Sequence, residues 1–317
     1  MKRGIGTVTA PADAPRELRV TAREDAADGV VALTLADPAG RPLPAWTPGA
    51  HVDLHLADGT IRPYSLCSDP ADPSRYRIGV LRVPDGRGGS RRVHDELHPG
   101  TLLPVSAPRN RFALVEDAEE YVLIAGGIGI TPLLPMARRL TELGRPWRML
   151  YAGRSRTTMA FVRELPDENV TLVPEDEAGR PDLAAYLAPH PAATVYACGP
   201  GGLLDAVRDL HPGPVHTERF AAAAAPAAGD TFTVVLARSG TEVVVTPERS
   251  VLDAARDAGA QVPSSCEMGI CGTCETKVLA GTPDHRDDLL TPDERATGDS
   301  MMICVSRSAG ARLVLDL

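Results

Sequence analysis

The amino-acid sequence predicts a multidomain chain: an antiparallel β-barrel, then an α/β domain on a parallel sheet, then a small C-terminal module with a cysteine cluster. Up to about Val115, short apolar runs such as VVALTLAD and YRIGVLRV alternate with Pro, Gly and Asp turns, a pattern typical of antiparallel barrels. From Tyr121 onward, apolar strands alternate with helical segments, which indicates a parallel sheet. Three cysteines within nine residues then lie near the C-terminus.

Composition narrows the class of protein. The chain has 317 residues, of which 43% are hydrophobic and 24% charged, and its net charge is −9. The negative balance argues against a nucleic-acid partner and leaves room for an electropositive protein partner, although it also serves solubility alone. The opening MKRGIGTVTA has no apolar core of a signal peptide, and no apolar run is long enough to span a bilayer. We therefore expect a cytoplasmic monomer that does not bind membranes.

Changes of composition set the predicted domain limits. AAAAAPAAG is a low-complexity stretch in which Pro226 interrupts any helix, so it is typical of a linker. The predicted organisation is a loose extension at 1–14, the barrel at 15–116, the α/β domain at 117–220, the linker at 221–229 and the cysteine module at 230–317.

Two motifs of the barrel suit a flat phosphorylated ligand. In RPYSLCS, Arg62 can pair with a phosphate, Tyr64 can pack on a heterocycle, and Ser65 can hydrogen-bond a ring nitrogen. Downstream, GRGGS offers Gly88, Gly89 and Ser90, whose backbone N–H groups can cradle a terminal phosphate. An edge-strand turn and a flexible basic hairpin are the alternatives for these two motifs.

Two glycine-rich strand ends of the α/β domain suit a dinucleotide. YVLIAGGIGITP joins a buried strand to a helix, with Gly127 and Gly129 in the turn and Thr131 as the expected N-cap. In a later strand, VYACGPGG places Cys198, with Gly199 and Pro200 after it, at the carboxyl edge where such sheets bind ligands. A tight turn without a ligand is the alternative for the first motif.

A third strand end carries positive charge. Arg154, Ser155 and Arg156 follow the strand WRMLYAG, where they suit a 2′-phosphate. A basic surface loop is equally compatible with these residues, so the choice between NADH and NADPH stays open.

The cysteine module has the spacing of an iron–sulfur site. Cys266, Cys271 and Cys274 form C-x4-C-x2-C, and Cys304 stands alone in MMICVS, which is the plant-type pattern for a 2Fe–2S cluster. A zinc ribbon typically shows two C-x2-C knuckles, and disulfides are rare in a reducing cytosol, so zinc and disulfides are the weaker alternatives.

Taken in this order, the motifs RPYSLC, GRGGS, GGIGIT, CGP and C-x4-C-x2-C resemble the phthalate dioxygenase reductase family of the ferredoxin–NADP reductase superfamily. The resemblance covers nearly the whole chain. It implies an FMN-binding barrel, an NAD(P)-binding α/β domain and a C-terminal plant-type ferredoxin domain with a β-grasp fold.

The resemblance also implies roles for individual residues. Arg62, Gly88, Gly89 and Ser90 would hold the FMN phosphate, while Tyr64 and Ser65 would lie at the flavin ring. The dinucleotide would be lined by Gly127, Gly129, Thr131, Arg154, Ser155, Arg156, Cys198, Gly199 and Pro200. Catalytic positions at the flavin and nicotinamide would be Ser65, Cys198 and Phe220, the last in the segment HTERF together with Glu218.

The implied activity is an NAD(P)H-dependent reductase that passes electrons through FMN and the cluster to a separate terminal oxygenase. That partner would be a Rieske-type oxygenase or demethylase, or a cytochrome P-450 monooxygenase. The alternative is a non-catalytic redox-sensing or electron-carrier interaction protein, against which the intact motifs speak. Acidic residues of the C-terminal module offer a docking face or only a solvated surface: Asp284, Asp287, Asp288, Asp293 and Glu294. The partner's identity and its substrate stay open, as do FMN versus FAD on chemistry alone and the oligomeric state.

Overall fold

The computed structural model of the chain describes residues 14–84, 86–220 and 229–317. The predicted extension and linker therefore lie outside the described residues, except for Ala14 and Gly229. The predicted fold class is confirmed, because an antiparallel barrel, a parallel α/β sheet and a β-grasp module follow one another. The exact limits of the three domains stay predictions.

The barrel consists of seven strands and one helix. These are β1 Arg16–Ala27, β2 Val30–Ala36, β3 Ala50–His55, β4 Ile61–Ser65, β5 Tyr76–Leu81, α1 Gly89–Glu96, β6 Leu102–Val105 and β7 Arg109–Asn110. The order is β4-β3-β6-β1-β2-β5, with β7 beside β3, and neighbouring strands are antiparallel. A bridge between Leu66 and Ile78 joins the two outer strands and closes the barrel. Closure removes the sheet edges and buries an apolar interior that includes Leu18, Leu33 and Leu54.

The second sheet is entirely parallel. Its elements are β8 Tyr121–Gly126, α2 Ile130–Glu142, β9 Trp147–Gly153, β10 Val170–Pro174, α3 Glu175–Ala178, α4 Leu183–Leu187, β11 Thr194–Cys198, α5 Gly201–Leu210 and β12 Val215–Glu218. The order β10-β9-β8-β11-β12 reverses between β8 and β11. Parallel sheets of this kind bind ligands in the crevice outside the strand ends at such a reversal. Both glycine-rich motifs lie at this point.

The barrel and the parallel sheet share one apolar core. Val30, Ala32 and Phe112 of the barrel belong to the same apolar cluster as Tyr121 and neighbouring residues of the parallel sheet. Contact is close at Gly79 of β5, where a Cβ would lie 2.8 Å from Thr131 and 2.9 Å from Phe161. The absence of a side chain at this position lets helix α2 approach the barrel strand.

The C-terminal module builds the third sheet. Its elements are β13 Phe232–Leu236, β14 Thr241–Val245, α6 Val251–Asp257, β15 Glu275–Ala280, β16 Pro283–Asp284, α7 Pro292–Thr297, β17 Ser300–Met302, β18 Arg307–Ser308 and β19 Arg312–Leu315. The order is β14-β13-β19-β15-β17, and the central pair β13 and β19 is parallel. Helix α6, capped by the Ser250 hydroxyl, packs on this sheet, which is the β-grasp arrangement. The three clustered cysteines lie in the loop between α6 and β15.

None of the helices in the described ranges is long and apolar enough to cross a bilayer.

Candidate functional site

A basic, glycine-rich cradle forms where β4 meets the start of α1. Gly88 precedes this helix with φ +85°, and Gly89 packs so closely that a Cβ there would lie 2.6 Å from Arg62 Cγ. Burial and the charge of Arg87 lower the pKa of Arg62, because two cations are crowded together. The Ser90 hydroxyl accepts a backbone N–H at 3.0 Å and so orders the loop. Crowded guanidinium groups and unpaired helix N–H groups fit the terminal phosphate of a flavin mononucleotide.

Next along β4, Ser65 touches the parallel sheet. Its hydroxyl donates to Glu218 Oε2 at 3.4 Å, although the two residues are 153 positions apart. Burial raises the pKa of the Glu218 carboxyl to about 8, and the bond from Ser65 opposes that shift. Tyr64 is half-buried beside Ser65, and burial raises the pKa of its phenol. A flat ring against Tyr64 would have a hydroxyl and a carboxyl at its edge.

Cys198 completes this junction from the end of β11. It stands opposite Glu218 of β12 in the strand register. Burial, and next the charge of Glu218, raises the pKa of the Cys198 thiol, so it is an uncharged apolar surface rather than a thiolate nucleophile. Ser65 and Cys198 are thus joined through Glu218, whose linking position sequence reasoning did not predict. Phe220, which follows Glu218 by two positions, is 36% exposed.

The two glycine-rich strand ends touch through their backbones. A Cβ on Gly129 would lie 2.1 Å from the carbonyl oxygen of Cys198, and one on Gly126 would lie 2.7 Å from Pro200. Gly127 has φ +56°, which favours glycine, and a Cβ on Gly199 would lie 3.0 Å from Gly126 Cα. Side chains are excluded here, so a ligand in the crevice between β8 and β11 would meet backbone rather than side chains. Such a crevice fits a pyrophosphate.

The expectation that Thr131 caps helix α2 is wrong. The helix begins at Ile130 and its N-cap is Gly129, whereas Thr131 is inside the first turn and donates its hydroxyl to Ile128 O at 3.0 Å. The Gly127–Gly129 turn is itself a tight 3₁₀ helix that continues into α2, which moves the boundary toward the N-terminus. Thr131 is buried against the barrel at the base of the crevice.

The basic strand end after β9 is partly neutralised. Arg156 donates to both carboxylate oxygens of Glu177, at 2.9 and 3.0 Å. The Ser155 backbone N–H donates to Thr158 Oγ1 at 3.1 Å, and the Ser155 hydroxyl lies 3.2 Å from Thr157 Oγ1, so local contacts order this residue. Arg154 is also exposed and, among the described residues, forms no salt bridge, in contrast to Arg156. The loop lies at the same sheet edge as the crevice, as expected for a ribose-side contact.

The four cysteines are all buried and form two pairs. A thiol hydrogen bond from Cys266 lowers the pKa of Cys271 to about 6, and one from Cys304 lowers the pKa of Cys274. Gly269 and Gly272, at φ +72° and +75°, turn the loop around these thiols.

Paired thiols fit a 2Fe–2S cluster better than a single ion. Each iron of such a cluster takes two cysteines, whereas zinc gathers four ligands around one point. Backbone N–H groups also point at the sulfurs, with Met268 N 3.3 Å from Cys266 Sγ.

A polar contact set joins the cysteine loop to the barrel, and sequence reasoning missed it. Asp53 of β3 accepts from Ser265 Oγ at 2.7 Å and from Arg109 at 2.5 Å. Arg87, from the basic, glycine-rich cradle, donates to the carbonyl of Cys266. HVDLHL alternates polar and apolar residues, which places Asp53 on the outer face of the strand with His51 and His55, so the pattern does not predict that this carboxylate is buried.

The predicted acidic docking face is largely paired internally. Asp287 is fully buried and accepts backbone N–H groups of its own loop, and Asp284 pairs with Arg286 at 2.7 Å. Asp288 faces Arg219 at 3.6 Å, and Glu294 is used in the capping box of α7. Asp293 and Glu294 are both exposed, and only Asp293 of the five has no such contact among the described residues.

Comparisons with known proteins agree with this geometry. The sequence profile of the 2Fe-2S iron-sulfur cluster binding domain matches residues 234–309. The phenoxybenzoate dioxygenase subunit beta of Ectopseudomonas oleovorans is 48% identical over 96% of this chain and 98% of its own length.

Two solved structures are similar over nearly the whole chain. Phthalate dioxygenase reductase, described as a modular structure for electron transfer from pyridine nucleotides to [2Fe-2S], has a TM-score of 0.72 and 41% identity, over 96% of this chain and 98% of that one. An intact type IV self-sufficient cytochrome P450 monooxygenase has a TM-score of 0.87 and 43% identity over 96% of this chain, which spans only 41% of that longer protein.

The 48% identity over 96% of this chain and a cysteine loop that fits a two-iron cluster both indicate the same family. The chain belongs to the phthalate dioxygenase reductase family, the FMN- and 2Fe–2S-dependent oxidoreductases that supply oxygenases with electrons from NAD(P)H.

Proposed function

We propose that this chain is the NAD(P)H-dependent reductase of a multicomponent oxygenase system, with the residue roles that its geometry supports. One observation carries the proposal. The adjacent barrel strands β3 and β4 contact both other sites, through Ser65 to Glu218 and through Asp53 to Ser265. The dinucleotide crevice and the cysteine loop thus meet the same flavin-binding surface.

FMN, when bound, supplies the conversion of a two-electron hydride donor into a one-electron supply for an iron–sulfur cluster. The chain's own residues bind and orient the flavin and the nicotinamide. Arg62, Gly88, Gly89 and Ser90 hold the phosphate, and Tyr64 and Ser65 fix the ring. Gly127, Gly129 and Thr131, with Cys198, Gly199 and Pro200, shape the nicotinamide side.

The role of Phe220 is part of the proposal, since its exposed ring is available to cover the flavin from the end of HTERF. The domain limits 15–116, 117–220 and 230–317 are also proposed, as are a monomeric state and a location in the cytoplasm.

We propose a separate oxygenase as the electron acceptor. Of the two candidate partners, we favour a Rieske-type oxygenase over a cytochrome P-450. The full-length similarity to a dioxygenase subunit supports this order. The P450 similarity is to one part of a longer chain, in which the matching region covers 41%.

Anaerobic mixing with NADH and with NADPH tests the activity. We expect the flavin absorbance to bleach and the cluster's reduced electron paramagnetic resonance signal to follow, faster with NADH because Glu177 already neutralises Arg156. A purified Rieske dioxygenase and a purified bacterial cytochrome P450 are then offered as acceptors. If neither nucleotide bleached the flavin, the electron-carrier alternative would be favoured. If only the P450 were reduced, a cytochrome P-450 rather than a Rieske-type oxygenase would be the partner.

A further inference from the structure

Asp53 is a buried carboxylate that faces away from its own barrel. Its residue is 2% exposed, and Oδ1 accepts the hydroxyl of Ser265 at 2.7 Å, in the residue just before the ligand Cys266. Ser265 is itself only 3% exposed. The hydrogen bond between the barrel carboxylate and the cysteine loop is therefore buried away from solvent.

The second oxygen of Asp53 leads to a second point of the same loop. Oδ2 accepts from Arg109 Nη2 at 2.5 Å, and the same nitrogen donates to Thr273 Oγ1 at 3.1 Å. Thr273 Oγ1 lies 3.2 Å from Cys271 Sγ. One carboxylate thus holds both ends of the loop that carries Cys266 and Cys271.

The backbone of Asp53 is fixed independently of this loop. Its N–H donates to Ser106 Oγ at 2.9 Å, and its strand is paired on both sides. The barrel presents a rigid acceptor, so the position of the loop depends on the carboxylate rather than the reverse.

We propose that Asp53 is a positioning residue that latches the cysteine loop onto the flavin-binding barrel and so sets the separation between the two redox sites. The consequence for electron transfer rests on the proposed function. The latch itself is a property of the chain and is measurable without any nucleotide.

Two variants and one matched control test the latch in the full-length protein with flavin and cluster loaded. Asp53→Asn removes the charge and one acceptor, and Ser265→Ala removes one hydroxyl with little effect on folding. Asp37→Asn is the control, because Asp37 is also a buried barrel carboxylate held by two arginines, Arg16 and Arg41, and does not touch the cysteine module.

The first readout is hydrogen–deuterium exchange of residues 264–275 in the oxidised protein. Loss of a charged hydrogen bond corresponds to about tenfold more frequent opening, so we expect exchange to rise about tenfold in Asp53→Asn, less in Ser265→Ala, and not in Asp37→Asn. Equal exchange in all three variants would overturn the latch.

The second readout separates the latch from the proposed function. After NADH addition, flavin bleaching should be unchanged in Asp53→Asn, while the subsequent reduction of the cluster slows severalfold. If NADH reduces no flavin in the unmodified protein, the proposed function fails and the exchange experiment still decides the latch. Unslowed cluster reduction together with unchanged exchange would refute the inference.

Discussion

Gly129 shows how one missing side chain lets two strand ends approach each other. Its φ is −63°, so the backbone shape there suits any residue. The constraint is space, since a Cβ would lie 2.1 Å from the carbonyl oxygen of Cys198 and 2.9 Å from Gly199 N. Both neighbours are backbone atoms at the ends of paired strands, so neither can move alone.

Gly129→Ala should therefore destabilise the protein by about 3 kcal/mol and weaken dinucleotide binding, because β8 and β11 must separate. Urea unfolding and the KM for NADH measure the two effects. The control is Gly202→Ala, which meets nothing within 4 Å inside helix α5 and should be neutral or stabilise by up to about 1 kcal/mol. Equal stabilities of the two variants would contradict the close packing.

At the scale of elements, the loop between β16 and α7 depends on one buried carboxylate. Asp287 accepts the backbone N–H groups of Leu289 and Leu290, at 3.2 and 2.8 Å, and lies 3.7 Å from Arg295. Its backbone also packs against the cysteine loop, since a Cβ on Gly269 would lie 3.0 Å from Asp287 Cα. A residue that the sequence offers as surface charge is thus structural.

We expect Asp287→Ala to cost about 2–3 kcal/mol, because two N–H groups and a guanidinium lose their acceptor inside the fold. The temperature at which heating abolishes the visible absorbance of the cluster measures this loss of stability. Asp293→Ala, at an exposed position in the first turn of α7, should stay within about 0.5 kcal/mol. If the two substitutions changed stability by similar amounts, Asp287 would have no structural role beyond that of a solvated surface charge.

At the scale of the whole molecule, Ser65 and Glu218 bring the barrel and the parallel sheet into one site. The Glu218 carboxyl has its pKa raised from 4.5 to about 8 by burial. Between these values the folded protein keeps a proton that the unfolded chain has released. The free energy of unfolding therefore falls as pH rises through this window, by at most about 1.4 kcal/mol per pH unit.

Glu218→Gln should remove this pH dependence. Relative to the variant, the unmodified protein should lose stability from about pH 5 to pH 8, with no further change above the folded pKa. Urea titrations at several pH values measure the difference, with both proteins loaded with flavin and cluster. A constant difference across the window would show that Glu218 is ionised at neutral pH.

Much of the architecture was predictable, because it depends on local pattern. The run YVLIAG is buried along its entire length as β8, and the helix predicted over TPLLPMARRLTELG is α2, shifted by one residue at its start. The cysteine spacing predicted the cluster type. Thr131 was misplaced because the 3₁₀ turn of Gly127–Gly129 is set by contact with Cys198 and not by capping propensity.

The sequence by itself determined the three fold types, their order and the chemistry of the cofactors, because hydrophobic period, glycine position and cysteine spacing act over short stretches of chain. Only the tertiary structure decided how the sites meet. Ser65 and Glu218 are 153 positions apart, and Asp53 and Ser265 are 212 apart. Contacts over such separations leave no periodic signal, since they depend on how closed sheets pack against each other rather than on the residues beside them.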